Sequence, residues 1–212
     1  PLDLLSSTVT VINPVSCVGH ARKKIEKHNW PIQKYLDSEP ELGYLNMQED
    51  NDGVFRDYNL YSNVFSEEME GELFLPSLGL RAFMSSTDIQ GLKFIVSNDC
   101  EGSLKVNNKE LLIKPSTETK IRWIGGPEKF EDISLFRVLD GKNFDRQKVI
   151  SEKGKAKKVT EKVDLYKFFK DKVVFIGSTA TGAHDLRNTP VDPTLGGVYA
   201  HMNFVSMLQK QL

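Results

Sequence analysis

Short apolar runs broken by turn residues dominate this chain, and only its last stretch carries a long helical repeat. TVTVIN at 8–13 alternates β-branched and polar positions and predicts a strand ended by Pro14. GHARKKIEKHNW predicts a helix after Gly19 that Pro31 interrupts, with Arg22, Lys23, Lys24 and Lys27 on a solvated face. PIQKYLDSEPE reads as a short helix and its exit. Between 42 and 65, two apolar-aromatic strands flank a polar turn at Asp52-Gly53, where glycine accepts a positive φ. Arg56 and Asp57 follow; a surface ion pair or a turn-bracing hydrogen bond outweighs a ligand contact there. LFLPSLGLRAFMSS at 73–86 fits a strand end and a helix, with Pro76 in the helix's first turn. Residues 93–125 form a succession of short strands with a hairpin at Asn107-Asn108. Gly125, Gly126 and Pro127 then make a loop, and ISLFRVLDG a short helix closed by Gly141.

The character changes at 142–164, where many lysines and few aromatics predict an exposed insertion. Lys153, Lys155, Lys157 and Lys158 suit a solvated loop better than a lipid contact, because Glu152 and Glu161 dilute their field. LYKFF then reads as a short helix. The unbroken apolar run Val173–Ile176 predicts a strand buried on both faces, turning at Gly177 into a loop of small residues. Gly177 to Gly182 imitates the start of a phosphate loop, but Ala183-His184 stands where that motif needs Lys and Ser or Thr. Nucleotide hydrolysis is therefore excluded. His184, Asp185, Arg187, Asn188 and Asp192 form the densest group of potentially chemical side chains. Loop bracing is the plain reading of that group and a ligand-sensing pocket the sharper one; no nucleophile or metal-ligand set accompanies it.

From Gly197 a helix runs toward the end of the sequence, with Val198, Met202, Val205 and Leu208 spaced to form one apolar stripe. His201 lies among them and suits buried packing more than pH sensing. A helix still running at the last residue predicts a domain cut from something longer. The whole reads as one α/β domain over 1–212: a mixed central sheet, flanking helices and the exposed lysine-rich insertion.

Composition removes several classes. Twenty-eight basic and 29 acidic residues leave a net charge of −1, which does not suit nucleic-acid binding. No eighteen-residue apolar run spans a bilayer, and the first residues lack the pattern of a signal peptide. Cys17 and Cys100 are too few to define a framework; the sequence leaves both a bridge and two free thiols open. No Cys/His set suggests structural zinc.

DKVVFIGSTATGAHDLRNTPVDP followed by GGVYAHMNFVSML resembles the second class of CHASE domains, with Ser178 in place of a usual alanine and Met202 disturbing a histidine-alanine-asparagine order. Three earlier segments are similar to the family in the same order. They are GYLNMQEDNDGVFRDYNL, ELFLPSLGLRAF and IRWIGGPEKFEDISLFRVLDG, so the resemblance spans about 42–209; the family's early region is absent or altered before residue 42.

The resemblance implies a non-catalytic sensory domain outside the cytoplasm, in a bacterial inner-membrane protein. Its partners would be adjacent transmembrane helices and a cytoplasmic kinase, cyclase or cyclic-dinucleotide module of the same chain, with a homodimer and a small-molecule or envelope-protein ligand as further partners. His184, Asp185, Arg187 and Asn188 are the ligand-binding candidates. Asp52, Gly53, Gly125, Pro127, Gly177 and Thr179 are structural or signalling candidates, as are Gly182, Pro190, Gly197, His201 and Asn203. No cofactor, metal or catalytic residue is assigned. Two other readings stay open: a hydrolase-like enzyme using His184 and Asp185, and a protein-interaction scaffold.

Overall fold

In a computed structural model of the chain, residues 8–12, 42–45, 47–66, 71–87, 91–96, 102–106, 109–111, 118–152, 155–178 and 185–211 are described. The helices expected between 19 and 41, both cysteines, Thr179, Gly182 and His184 lie outside them. Within them the chain is mixed α/β.

Strand β1 (Thr8–Ile12) pairs in parallel with β5 (Gly91–Val96), and β5 continues antiparallel to β6 (Gly102–Val106) and β7 (Lys109–Leu111). The Val106–Lys109 register matches the expected two-residue hairpin. The remaining strands form two-stranded pieces. β2 (Asp57–Asn59) pairs with β8 (Glu118–Lys120), and β3 (Tyr61–Ser66) with β4 (Gly71–Pro76). β11 (Leu186–Arg187) pairs with β12 (Leu195–Gly196). The described strands are thus divided between one four-stranded mixed sheet and small two-stranded antiparallel sheets.

Within the lysine-rich stretch, read from sequence as an exposed insertion and a solvated loop, β9 (Phe144–Glu152) and β10 (Lys155–Val163) pair as a hairpin with nine residues on each strand. Val163 is buried and Val159 half-buried, while Lys157, Lys158, Thr160, Glu161 and Lys162 are exposed.

Two helices carry the core. Helix α1 (Leu78–Ser86) begins at Ser77, whose extended backbone turns its Oγ to accept from the Leu80 N–H at 3.3 Å. Pro76 does not enter the helix; it ends β4. Leu80, Phe83 and Met84 then fall on one face and are buried. They meet the last helix, Gly197–Gln209, through Ala200, Phe204, Met207 and Leu208, with Tyr58, Leu60 and Ile121 closing the cluster. Each fully buried side chain of this size contributes about 1.5–3 kcal/mol. The stripe on the last helix is rotated from the expected one. Val198 and Met202 are only half-buried, because the large Phe204 sets the seam against α1.

Two short helices, α2 (Leu135–Asp140) and α3 (Leu165–Phe169), flank the hairpin, and α2 ends at Gly141 with φ 66°. The last helix is therefore α4. The buried strand expected at 173–176 is overturned. Residues 172–178 pair with no described strand, and Val174 and Ile176 stand 50% and 78% exposed. An apolar run is buried on both faces only when neighbouring strands flank it, and none of the described strands does so here.

Candidate functional site

The Asp52-Gly53 turn is built by its own side chains. Gly53 has φ 75° and donates its N–H to the Asp50 carbonyl at 2.8 Å. Asp52 Oδ1 accepts from the Val54 N–H at 3.1 Å, closing a local turn. Arg56 grips the same turn, donating to Asp50 at 2.6 Å and to both Asp52 oxygens at 2.9 and 2.8 Å. This fork holds the Asp52 carboxyl at about 2 and raises the Arg56 guanidinium further. Arg56 is thus a brace for the turn.

The turn adjoins the segment expected to bind ligand. The Phe55 N–H donates to the Asn188 carbonyl at 2.8 Å, and the Arg187 guanidinium lies 5.3 Å above the Phe55 ring. Arg187 also pairs with Asp185 at 3.3 Å. Leu186 and Arg187 ladder onto Gly196 and Leu195, which places Asp185 beside the start of α4. The Gly197 N–H donates to the Asp185 carbonyl at 2.8 Å, and a Cβ on Gly197 would stand 2.5 Å from the Asp185 carboxylate. Only glycine lets that carboxylate sit against the positive end of the helix. Between β11 and β12, Thr189 and Asp192 close a turn around Pro190: the Thr189 hydroxyl donates to the Asp192 carbonyl at 2.7 Å. Of the four ligand-binding candidates, Arg187 and Asn188 contact Phe55, which follows the Asp52-Gly53 turn, and Asp185 pairs with Arg187; His184 lies outside the described residues. Gly177 packs against Val198 in the first turn of α4.

A second polar cluster lies deeper. Asn203 is fully buried and makes three hydrogen bonds. Its Oδ1 accepts from the Ile124 N–H at 2.8 Å, and its Nδ2 donates to the Gly125 carbonyl at 3.1 Å and the Tyr199 carbonyl at 2.8 Å. The Gly125 loop, leading into the 3-10 turn at Pro127–Lys129, is thereby fixed to α4. Two residues earlier His201, 6% exposed, meets the Tyr58 hydroxyl through Nδ1. That hydroxyl also accepts from the Gly79 N–H at 2.9 Å, which ties the pair to the first turn of α1. Burial pushes the imidazole down from 6.5 to about 4 and the Tyr58 phenol well above its ordinary range. Tyr58 further stacks on Phe204, ring centroids 4.0 Å apart and 14° from parallel.

Sequence reasoning missed Tyr58, Gly79 and Phe55. The period-two burial of DYN, with Tyr58 inward between two half-buried neighbours, was the available signal for the first. Gly79 was not legible, since what makes glycine necessary is distant in sequence: the Tyr58 oxygen and Phe204 Cδ1 stand 2.6 and 2.8 Å from where a Cβ would be.

The described polar groups thus join elements to one another; among them no three His, Cys, Asp or Glu side chains gather to hold a metal ion. No described helix is long and apolar enough to cross a membrane. This defines a mixed α/β module organised around one long helix. Compared with known families, residues 5–212 match the CHASE2 domain model. The chain belongs to the CHASE2 family, sensory domains that stand outside the cell in bacterial signalling proteins. No curated protein and no solved structure matches it.

Proposed function

We propose that this domain is the signal-input part of a bacterial inner-membrane receptor. It lies outside the cytoplasm and passes its state through α4 to an adjacent membrane helix. From there the signal reaches a kinase, cyclase or cyclic-dinucleotide module of the same chain. Membership of a sensory family supports the input role. The route rests on one observation, the set of separate elements tied to α4. His201 reaches Tyr58, Asn203 holds Ile124 and Gly125, and Gly197 carries Asp185. A change in any of these elements bears on the same rod.

The stimulus acts, on this reading, where Arg187 and Asn188 contact Phe55 and Asp185 pairs with Arg187. A solute or envelope protein that binds there must prefer one arrangement, since equal affinity for both shifts nothing. The test is a flexible glycine-serine insertion directly after α4 in the full-length receptor. Output, read as phosphorylation or nucleotide product, becomes uncoupled from the domain. Output identical to the uninterrupted receptor's would refute transmission through α4.

A further inference from the structure

Nine large hydrophobic side chains stand exposed among the described residues, and seven of them fall between 135 and 176. Phe136, Leu139, Tyr166 and Ile176 are each more than 70% exposed. The same stretch holds twelve Lys and Arg against six Asp and Glu, a net +6; with −1 for the whole chain, the remainder carries −7. Segregation of this kind within a nearly neutral chain points to a partner of opposite charge.

The stretch is one unit. Arg137 lies 5.4 Å over the Phe144 ring, and the Leu165 N–H donates to Asn143 Oδ1 at 3.3 Å. Lys172 and Arg146 both pair with Glu131 and both lie over Phe168. These contacts join α2, the base of the hairpin, α3 and the start of 172–178. They also neutralise Lys172 and Arg146 in part. Among the described residues Lys158, Lys162, Lys167 and Lys170 make no ion pair and are exposed.

A merely solvated face has no use for Phe136 and Leu139, and the core of a protein interface is depleted in lysine. An anionic bilayer surface accommodates both. Apolar side chains enter the boundary between headgroups and acyl chains, while lysines lay their stems along it and hold their ammonium groups at the phosphates. We infer that residues 135–176 form a docking face for an anionic lipid bilayer, with Phe136, Leu139 and Tyr166 inserting and Lys162, Lys167 and Lys170 meeting the headgroups. The inference draws on the receptor reading only for the presence of a bilayer beside the domain. Vesicle binding and receptor output are separate measurements, so each can fail alone.

The test is flotation of the 212-residue chain with vesicles of phosphatidylcholine alone and of an equal mixture with phosphatidylglycerol. Binding to the mixed vesicles only is expected, and it falls as salt shortens the Debye length below about 8 Å. Lys162→Gln, Lys167→Gln and Lys170→Gln together lower the partition coefficient on the order of a hundredfold, at about fivefold per lysine. Phe136→Ser with Leu139→Ser and Tyr166→Ser also lowers it, while the thermal melt of the triple variant stays unchanged because all three side chains are exposed. No flotation with either vesicle, or equal flotation with both, overturns the inference. So does a dimer in sedimentation that the serine variant dissolves while vesicle binding ignores both sets of substitutions; a second copy then covers the face.

Discussion

Acid should weaken this fold through His201 over a defined interval. The perturbation is a fall in pH from 7.5 to 4, compared between the wild-type chain and His201→Asn. Asparagine carries an acceptor oxygen close to where Nδ1 stands, so it can still receive the Tyr58 hydrogen, but it does not titrate. In the folded chain burial holds the imidazole at about 4, against 6.5 when exposed. The unfolded chain therefore binds this proton more readily. Stability from the neutral imidazole is complete above pH 6.5, declines from 6.5 toward 4, and stops declining below about 4. The interval spans about 2.5 pH units, so at about 1.4 kcal/mol per unit His201 removes about 3 kcal/mol by pH 4. Asp52 does not confuse the measurement: its contribution is present above about 3.8 and is lost as pH falls through about 2, below this window. Urea unfolding at half-unit pH steps gives the two stability curves. Their difference should grow by about 3 kcal/mol between pH 6.5 and 4. Parallel curves would show that His201 charges as easily folded as unfolded, and the buried Tyr58 contact would be refuted with it.

Asn203→Ala should cost about 3 kcal/mol in urea unfolding, since it leaves the Ile124 N–H and the Gly125 carbonyl without their partner; a cost under about 0.5 kcal/mol means the loop re-pairs elsewhere. Tyr58→Phe keeps the ring stack on Phe204 but strands the Gly79 N–H and His201 Nδ1, so a loss of about 1–3 kcal/mol is expected in the same measurement. Gly197→Ala drives a methyl toward the Asp185 carboxylate and should destabilise by about 1–3 kcal/mol. Asp185→Ala in the same chain removes the obstacle, so a double-mutant cycle should return a coupling of at least about 1 kcal/mol, and strict additivity would place the carboxylate elsewhere.

Most short elements were legible because their signals are local. Ser77 caps α1 through its own hydroxyl, Gly141 ends α2 at a positive φ, and Asp52-Gly53 turns the chain with its own carboxylate. The failures have a common cause. The apolar run at 173–176 says that those side chains are suited to burial, but whether strands flank it depends on distant residues, and the described ones do not. In the lysine-rich hairpin only Val159 and Val163 among the charges of 157–163 leave the solvent, too sparse a signal to mark a strand. The candidate site divides in the same way. Asp185, Arg187 and Asn188 drew notice by chemistry, His201 by its place in the helical stripe, and Asn203 by resemblance to a family. Phe55, which links the two loops through its N–H and its ring, carries no chemical signal in sequence.

The two polar clusters constrain how α4 can move. Asn203 holds a donor and an acceptor on the 124–125 loop simultaneously, so a shift of α4 by a fraction of a turn lengthens one bond while compressing the other. At His201, the Tyr58 hydroxyl is also held by Gly79, in the first turn of α1, and cannot follow His201 without leaving that N–H. Phe204, next after Asn203 and stacked on Tyr58, resists rotation about the helix axis. Small displacements therefore break buried hydrogen bonds at about 1–3 kcal/mol each, without a new partner in reach. A displacement that survives must break several together and settle in a second packing, since packed interiors are bistable rather than continuously deformable. If α4 carries the signal, it carries it as a choice between two positions.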